Sequence, residues 1–309
     1  MPPHASSYSF TSTTTTYILV YVDDILVTGD NSSEISSLIS QLNNIFSLKD
    51  LGLLHYFLGL EAVYTSPTTI HLSQTKYITD LLEKAKMNSA KSMPTPMLTG
   101  QKLYMEGDTA FSDPTLYRSI VGGLQYATIT RPNLSYAVNK VSQFMHKPPL
   151  EVHLKAVKRI LRYLAGTKTH GLIFHQSKDL RLLAFCDSDW GSDIDDRKST
   201  SGFCVYLGSN LISWSSKKQH AVSRSSTEAE FRSLASTLAK ITWLQSLLYE
   251  LHIPCTVLPT VFCDNASTVM LAENLVLHNR TKHFELDLYF VRDRVIQKQV
   301  FVQHIPGTE

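Results

Sequence analysis

The sequence predicts an α/β chain in two parts, and three observations carry that expectation. With 309 residues there is room for two domains. Strand-like and helix-like runs mix without a fixed order (α+β) from Tyr17 to about residue 178. From 179 the order becomes strand, strand, strand, helix, strand, helices, strand, which predicts a mixed-sheet α/β domain. Apolar residues at 43% and charged residues at 18% exclude general disorder.

Residues 1–16 are Ser/Thr-rich, without a charged start or an apolar stretch, and are expected to be an unstructured leader rather than a secretory signal. Tyr17–Val22 and Ile25–Val27 are strand-like and flank the acid pair Asp23 and Asp24. Read from composition alone, that pair is a solvated hairpin tip or a cation site. Ile35, Leu38, Ile39, Leu42, Ile45 and Phe46 recur at helical spacing behind the cap candidates Asn31–Ser33. HYFLGLEAVY and TIHL flank TSPT as a hairpin, and Tyr77, Ile78, Leu81, Leu82 and Ala85 share a helical face. Residues 88–114, with MPTPM, Gly100, Gly107 and Pro114, form an irregular connector, followed by two further helical patterns.

Residues 150–165 are the most legible helix. Val152, Ala156, Ile160 and Leu164 make its apolar stripe, and Lys155, Lys158, Arg159 and Arg162 share another face. The net charge of +2 does not reveal a partner, but eight Lys/Arg face only Glu151 and Asp179 between His146 and Arg181. A basic helix face is commonly just solvated surface; basic neighbours on both sides favour phosphate contacts.

The four cysteines, Cys186, Cys204, Cys255 and Cys263, form no C-x-x-C pair and lie mainly in apolar strands. They are read as reduced thiols of an intracellular protein. No apolar run approaches the ~18 residues of a membrane span.

In the second part, LRLLAFCD ends at Asp187 and TVFCD at Asp264, so two acids sit at strand carboxyl ends, where open α/β sheets present ligands. Glu230 falls in the first turn of the intervening helix. Three converging carboxylates without bases repel one another, and divalent Mg²⁺ or Mn²⁺ relieves that repulsion. The plainer alternative gives each acid a cap: Asp187 a turn, Glu230 a helix dipole, and Asp264-Asn265 the next helix.

YVDDILVTG, SLKDLGLLHYFLGLE, YRSIVGGLQYATITRP and LKAVKRILRYLAGT resemble the reverse transcriptase of copia-type retrotransposon polyproteins. CDSDWGSDIDDRKSTSGFCVYLGSNLISWSSKKQ, SRSSTEAEFRSLA, FCDNAS and RTKHFELDLYFVRDRV resemble the ribonuclease H region that follows it. The resemblance implies a palm remnant over 17–88, a helical thumb/connection region over 89–178 with the basic helix, and a ribonuclease H-like domain over 179–309. By resemblance Asp23 and Asp24 are palm metal ligands. Asp187, Glu230 (preferred over Glu228 because AEFRSL matches the family pattern) and Asp264 are ribonuclease H carboxylates that use Mg²⁺ or Mn²⁺. The implied partner is an RNA–DNA hybrid, with other retrotransposon proteins as further candidates.

Three departures qualify that expectation. Asp23 is the first acid in the chain, so the upstream aspartate of the polymerase site has no counterpart and polymerase activity is expected to be absent. Only Pro306–Glu309 follow VFVQHI, so the ribonuclease H domain is expected to lack its last helix and fourth acid, with hydrolysis impaired. Glu285 and Asp287 are the substitutes nearest in sequence, ~200° apart on a helix. Asn133 stands where the family usually has aspartate. The competing reading is a non-catalytic nucleic-acid-binding remnant.

Overall fold

The computed structural model describes residues 5–8, 14–22, 24–273 and 284–306. The first sheet joins β1 (Ala5–Tyr8), β2 (Thr16–Tyr21) and β3 (Asp24–Gly29), all antiparallel. The expectation of a wholly unstructured leader is therefore corrected. Ala5–Tyr8 pair with Leu19–Thr16, because the free edge of a hairpin strand accepts main-chain hydrogen bonds whatever the added side chains. Val22 at the hairpin tip takes φ +52°, a conformation that two-residue hairpin turns demand and β-branched residues resist. Helix α1 (Ser32–Phe46) starts where expected, its cap Asn31 accepting from Ser33 N and Glu34 N. None of its described residues is fully buried: Ile35, Leu38, Ile39 and Leu42 are half-buried, and Ile45 and Phe46 stay exposed.

A second antiparallel sheet orders β4 (Tyr56–Phe57), β5 (Leu60–Ser66), β6 (Thr69–Ser73) and β7 (Leu172–His175). Strand β7 was not legible, because four residues between two turns leave no period. It joins only because Gly171 lets the backbones close: a Cβ there would sit 2.0 Å from Leu72 O. The helices α2 (Thr75–Lys84), α3 (Pro114–Ala127), α4 (Ser135–Ser142) and α5 (Glu151–Gly166) share one core built on Ile78, Leu82, Tyr117, Leu124, Leu134 and Ile160.

Arg131 lies inside that helical unit, 1% exposed, and meets no carboxylate among the described residues. Its guanidinium donates to Thr167 O (2.8 Å), Thr167 Oγ1 (2.8 Å) and Asn133 Oδ1 (3.3 Å). Burial lowers its pKa because no anion offsets the desolvation. Asn133→Asp supplies the missing anion, and the Tyr163 hydroxyl, now bonded to Asn133 Nδ2 at 2.5 Å, then donates to the new carboxylate. The expected gain is about 1 kcal/mol, since Asn133 is exposed and the pair is partly screened. Thermal melting checks it; an unchanged or lower midpoint contradicts it.

The third sheet orders β10 (Asn210–Lys218), β9 (Thr200–Leu207), β8 (Leu182–Asp189), β11 (Thr260–Cys263) and β12 (Phe301–His304). The first three strands are antiparallel, and β11 and β12 run parallel to β8. The long helix α6 (Ser226–Glu250), α7 (Ala266–Glu273) and α8 (Glu285–Ile296) complete the unit, with Leu182, Ala184, Phe231, Leu234, Val261 and Leu288 in its core. Trp214 Nε1 donates to Thr128 O (3.1 Å), and Lys140 Nζ donates to Ser192 Oγ and Thr200 Oγ1 (both 3.1 Å), tying the helical unit to this sheet.

Candidate metal centre

The register of β8 and β11 sets the site. Their last aligned pair is Cys186 with Cys263, so Asp187 and Asp264 are the next residues on each strand, side by side where the parallel ladder stops. Asp187 does not end its strand as the sequence suggested. Antiparallel pairing with β9 (Asp187 with Gly202, Ser188 with Ser201, Asp189 with Thr200) carries β8 two residues further.

Helix α6 brings the third carboxylate. Ser225 caps it through Glu228 N (3.2 Å). Gln219 Nε2 donates to Ser188 Oγ (3.2 Å), Ser201 Oγ (2.9 Å) and Ala229 O (2.9 Å), binding the first turn to the sheet. Ser233 Oγ adds a bond to Asp187 O (2.8 Å). Glu230, 6% exposed, accepts from Ser188 N at Oε1 (3.0 Å), and its Oε2 is buried with no hydrogen-bond partner. Native proteins rarely leave a buried carboxylate oxygen so.

Ligand atoms of Glu230, Cys263 and Asp264 lie within 4.8 Å of one another. Asp187 is not in that group of three; it meets Glu230 side chain to side chain and acts on Glu230 and Asp264 through its charge. Burial, then the Asp187 carboxylate and Cys263, push the Glu230 carboxyl up to about 8. Burial and then Asp264 raise Asp187. Burial and like charge thus both oppose ionisation of Glu230, and a cation would relieve both. A bare buried oxygen beside two further carboxylates fits a hard divalent ion, and Asp187, Glu230 and Asp264 would hold it.

The plainer roles belong to neighbours. Asn265 caps α7 through Thr268 N (3.0 Å). Asp189 is occupied by Thr200 N, Ser192 Oγ (2.6 Å) and Lys140 (3.6 Å). Glu228, 1% exposed, is bound by Arg224 N (2.8 Å) and the Arg232 guanidinium (2.8 Å), which supports Glu230 as the inward acid. Glu285 is exposed, and Asp287 is half-buried where Arg232 and Glu228 act on it; neither joins the cluster. Cys263 was missed as a site residue because burial alone accounts for an apolar-strand thiol. Its position immediately before Asp264 was the available signal.

Two expected sites stand apart. Asp23 lies outside the described residues, and Asp24 is exposed at the start of β3, in no group of three metal-ligating side chains among those described. On α5, Lys155 and Lys158 are exposed. Arg159 Nη2 donates instead to Thr95 Oγ1 (2.8 Å) and Arg162 Nε to Lys91 O (2.6 Å), so these two fasten the connector to the helix rather than standing free on a shared basic face. Long cationic side chains beside a loop of unpaired carbonyls and hydroxyls bond to it locally.

A family model described as reverse transcriptase (RNA-dependent DNA polymerase) matches residues 8–99. The chain is 50% identical over 289 residues to the retrovirus-related Pol polyprotein from transposon RE1 of Arabidopsis thaliana, covering 94% of this chain and 20% of that one. It is 34% identical over 240 residues to the putative transposon Ty5-1 protein YCL074W of Saccharomyces cerevisiae, covering 77% of this chain and 78% of that one. The chain belongs to the copia-type retrotransposon Pol polyproteins. This Pol chain spans a fifth of the length of the RE1 relative. The structure of the foamy viral protease-reverse transcriptase in complex with dsDNA matches its fold with a TM-score of 0.52 at 14% identity, covering 94% of this chain and 55% of that one. The chain therefore joins a reverse transcriptase segment at residues 8–99 to a five-stranded mixed sheet with helices packed on it. No helix among the described residues is long and apolar enough to cross a membrane.

Proposed function

We propose that this chain hydrolyses the RNA strand of RNA–DNA hybrids at Asp187, Glu230 and Asp264 with Mg²⁺ or Mn²⁺. The observation that supports this most is the buried, unpartnered Oε2 of Glu230, on a carboxyl whose pKa the Asp187 and Asp264 charges both raise. Bound metal supplies an activated water and stabilises the leaving oxygen of the phosphodiester. The chain's own part is positional. Ser188 N–H holds Glu230 Oε1 and leaves Oε2 bare, and Ser233 and Gln219 lock α6 against β8 so that the carboxylates keep their places. Incubating purified protein with labelled hybrid and Mg²⁺ tests the proposal. Asp187→Asn should lower cleavage by about 10²-fold or more. Equal cleavage by wild type and variant overturns the assignment of Asp187.

Nucleic acid would lie along the exposed Lys155 and Lys158, contacted mainly through phosphates. Lys155→Ala and Lys158→Ala together should weaken hybrid binding at low salt and reduce the slope of log affinity against log salt by roughly 1.8. Arg159→Ala should instead release the connector, which melting reports. A salt slope unchanged in the double variant removes this helix from the interface.

A further inference from the structure

The donor set at the strand ends is not all oxygen, and that has a chemical consequence. Cys263 Sγ, a Glu230 carboxylate oxygen and an Asp264 carboxylate oxygen lie within 4.8 Å of one another. Sulfur and oxygen ligands of one tetrahedral zinc ion are about 3.6 Å apart, given metal–ligand bonds near 2.3 and 2.1 Å. Small side-chain rotations close the difference. Glu230 is 6% exposed and its Oε2 has no hydrogen-bond partner, so the group of three already contains a buried carboxylate with an unsatisfied oxygen. Asp264 is exposed and provides the way in, while Cys263 forms the buried floor. Magnesium has little use for sulfur, whereas zinc and cadmium favour it.

We propose that Cys263, Glu230 and Asp264 form a thiophilic metal site that takes a zinc-class cation in competition with Mg²⁺. On binding, the Cys263 S–H bond breaks, its proton passes to water, and a metal–sulfur bond forms; no electron is transferred. Two of the three ligands are shared with the Mg²⁺ carboxylates, so the soft cation displaces the hard one and inhibits hydrolysis. The inhibition rests on the hydrolytic function proposed above; the binding does not.

Cadmium alone is the direct probe, because a cadmium–thiolate bond gives an ultraviolet charge-transfer band that oxygen ligands do not. The protein carries Cys255→Ser throughout, since that cysteine is exposed. One equivalent of Cd²⁺ should develop the band, Cys186→Ser should keep it, and Cys263→Ser should abolish it. Glu230→Gln, which leaves the thiol in place, should weaken Cd²⁺ binding at least tenfold, and this arm stands even if Cys263→Ser fails to fold. Absence of the band, its survival in Cys263→Ser, or unchanged affinity in Glu230→Gln overturns the site. In the cleavage assay, Zn²⁺ added to saturating Mg²⁺ should inhibit, with at least tenfold less sensitivity in Cys263→Ser relative to its own Mg²⁺-only rate. Cleavage indifferent to Zn²⁺ overturns the competition. A protein that binds Cd²⁺ through Cys263 but never cleaves refutes hydrolysis and leaves the site standing.

Discussion

Glu230→Gln is expected to abolish Mg²⁺-dependent cleavage, by about 10³-fold, and at the same time to stabilise the metal-free protein at alkaline pH. Both effects come from one side chain. The amide keeps the size of Glu230 and accepts from Ser188 N, but it removes the anionic oxygen that a cation needs. Metal-free wild type carries Glu230 with its pKa raised from 4.5 to about 8. The folded state therefore binds more protons than the unfolded state between those values. This contribution to stability is full below pH 4.5 and is lost as pH rises through 8, a few kcal/mol in all. Melting in chelator should accordingly fall from pH 6 to pH 8.5 in wild type and change less in Glu230→Gln. Added Mg²⁺ should restore wild type more at pH 8.5 than at pH 6, because binding requires the ionised acid. Parallel pH profiles for both proteins contradict this account of Glu230.

Arg131→Ala is expected to cost about 3–5 kcal/mol, the largest single loss in the helical unit. The side chain fills buried space and satisfies Thr167 O and Thr167 Oγ1, and its guanidinium carbon lies 5.4 Å from the centroid of the Tyr163 ring. Removing it opens a cavity and strips those acceptors of their donor. Arg131→Met restores most of the volume and should recover part of the loss, because it removes a charge that has no counter-ion. Chemical denaturation followed by circular dichroism distinguishes the two. A loss under 1 kcal/mol in Arg131→Ala shows that the guanidinium is dispensable.

The elements with a clear period were legible in the sequence. Ser32–Phe46 and Glu151–Gly166 declared themselves by apolar spacing, and β8 and β11 by apolar runs ending in acids. Strand β7 and the leader strand β1 were not, because both are created by pairing with a distant edge rather than by local preference. The fastening roles of Arg159 and Arg162 were equally hidden, since periodicity places a side chain on a helix face without saying what loop lies across it. At the candidate site, strand ends and the family motifs point to Asp187, Glu230 and Asp264, of which the structure gathers Glu230 and Asp264 into one group with Cys263. They do not point to Cys263, because its place beside the acids follows from the β8–β11 register, which sequence spacing does not reveal.

The central claim is that carboxylates from two strands and one helix grip a common divalent cation. Anomalous scattering from crystals grown with Mn²⁺ tests it most directly. The expected result is a manganese peak bonded to Glu230 Oε2 and to oxygens of Asp187 and Asp264, where the β8–β11 ladder stops. Manganese bound elsewhere, with Glu230 Oε2 still uncoordinated, contradicts it.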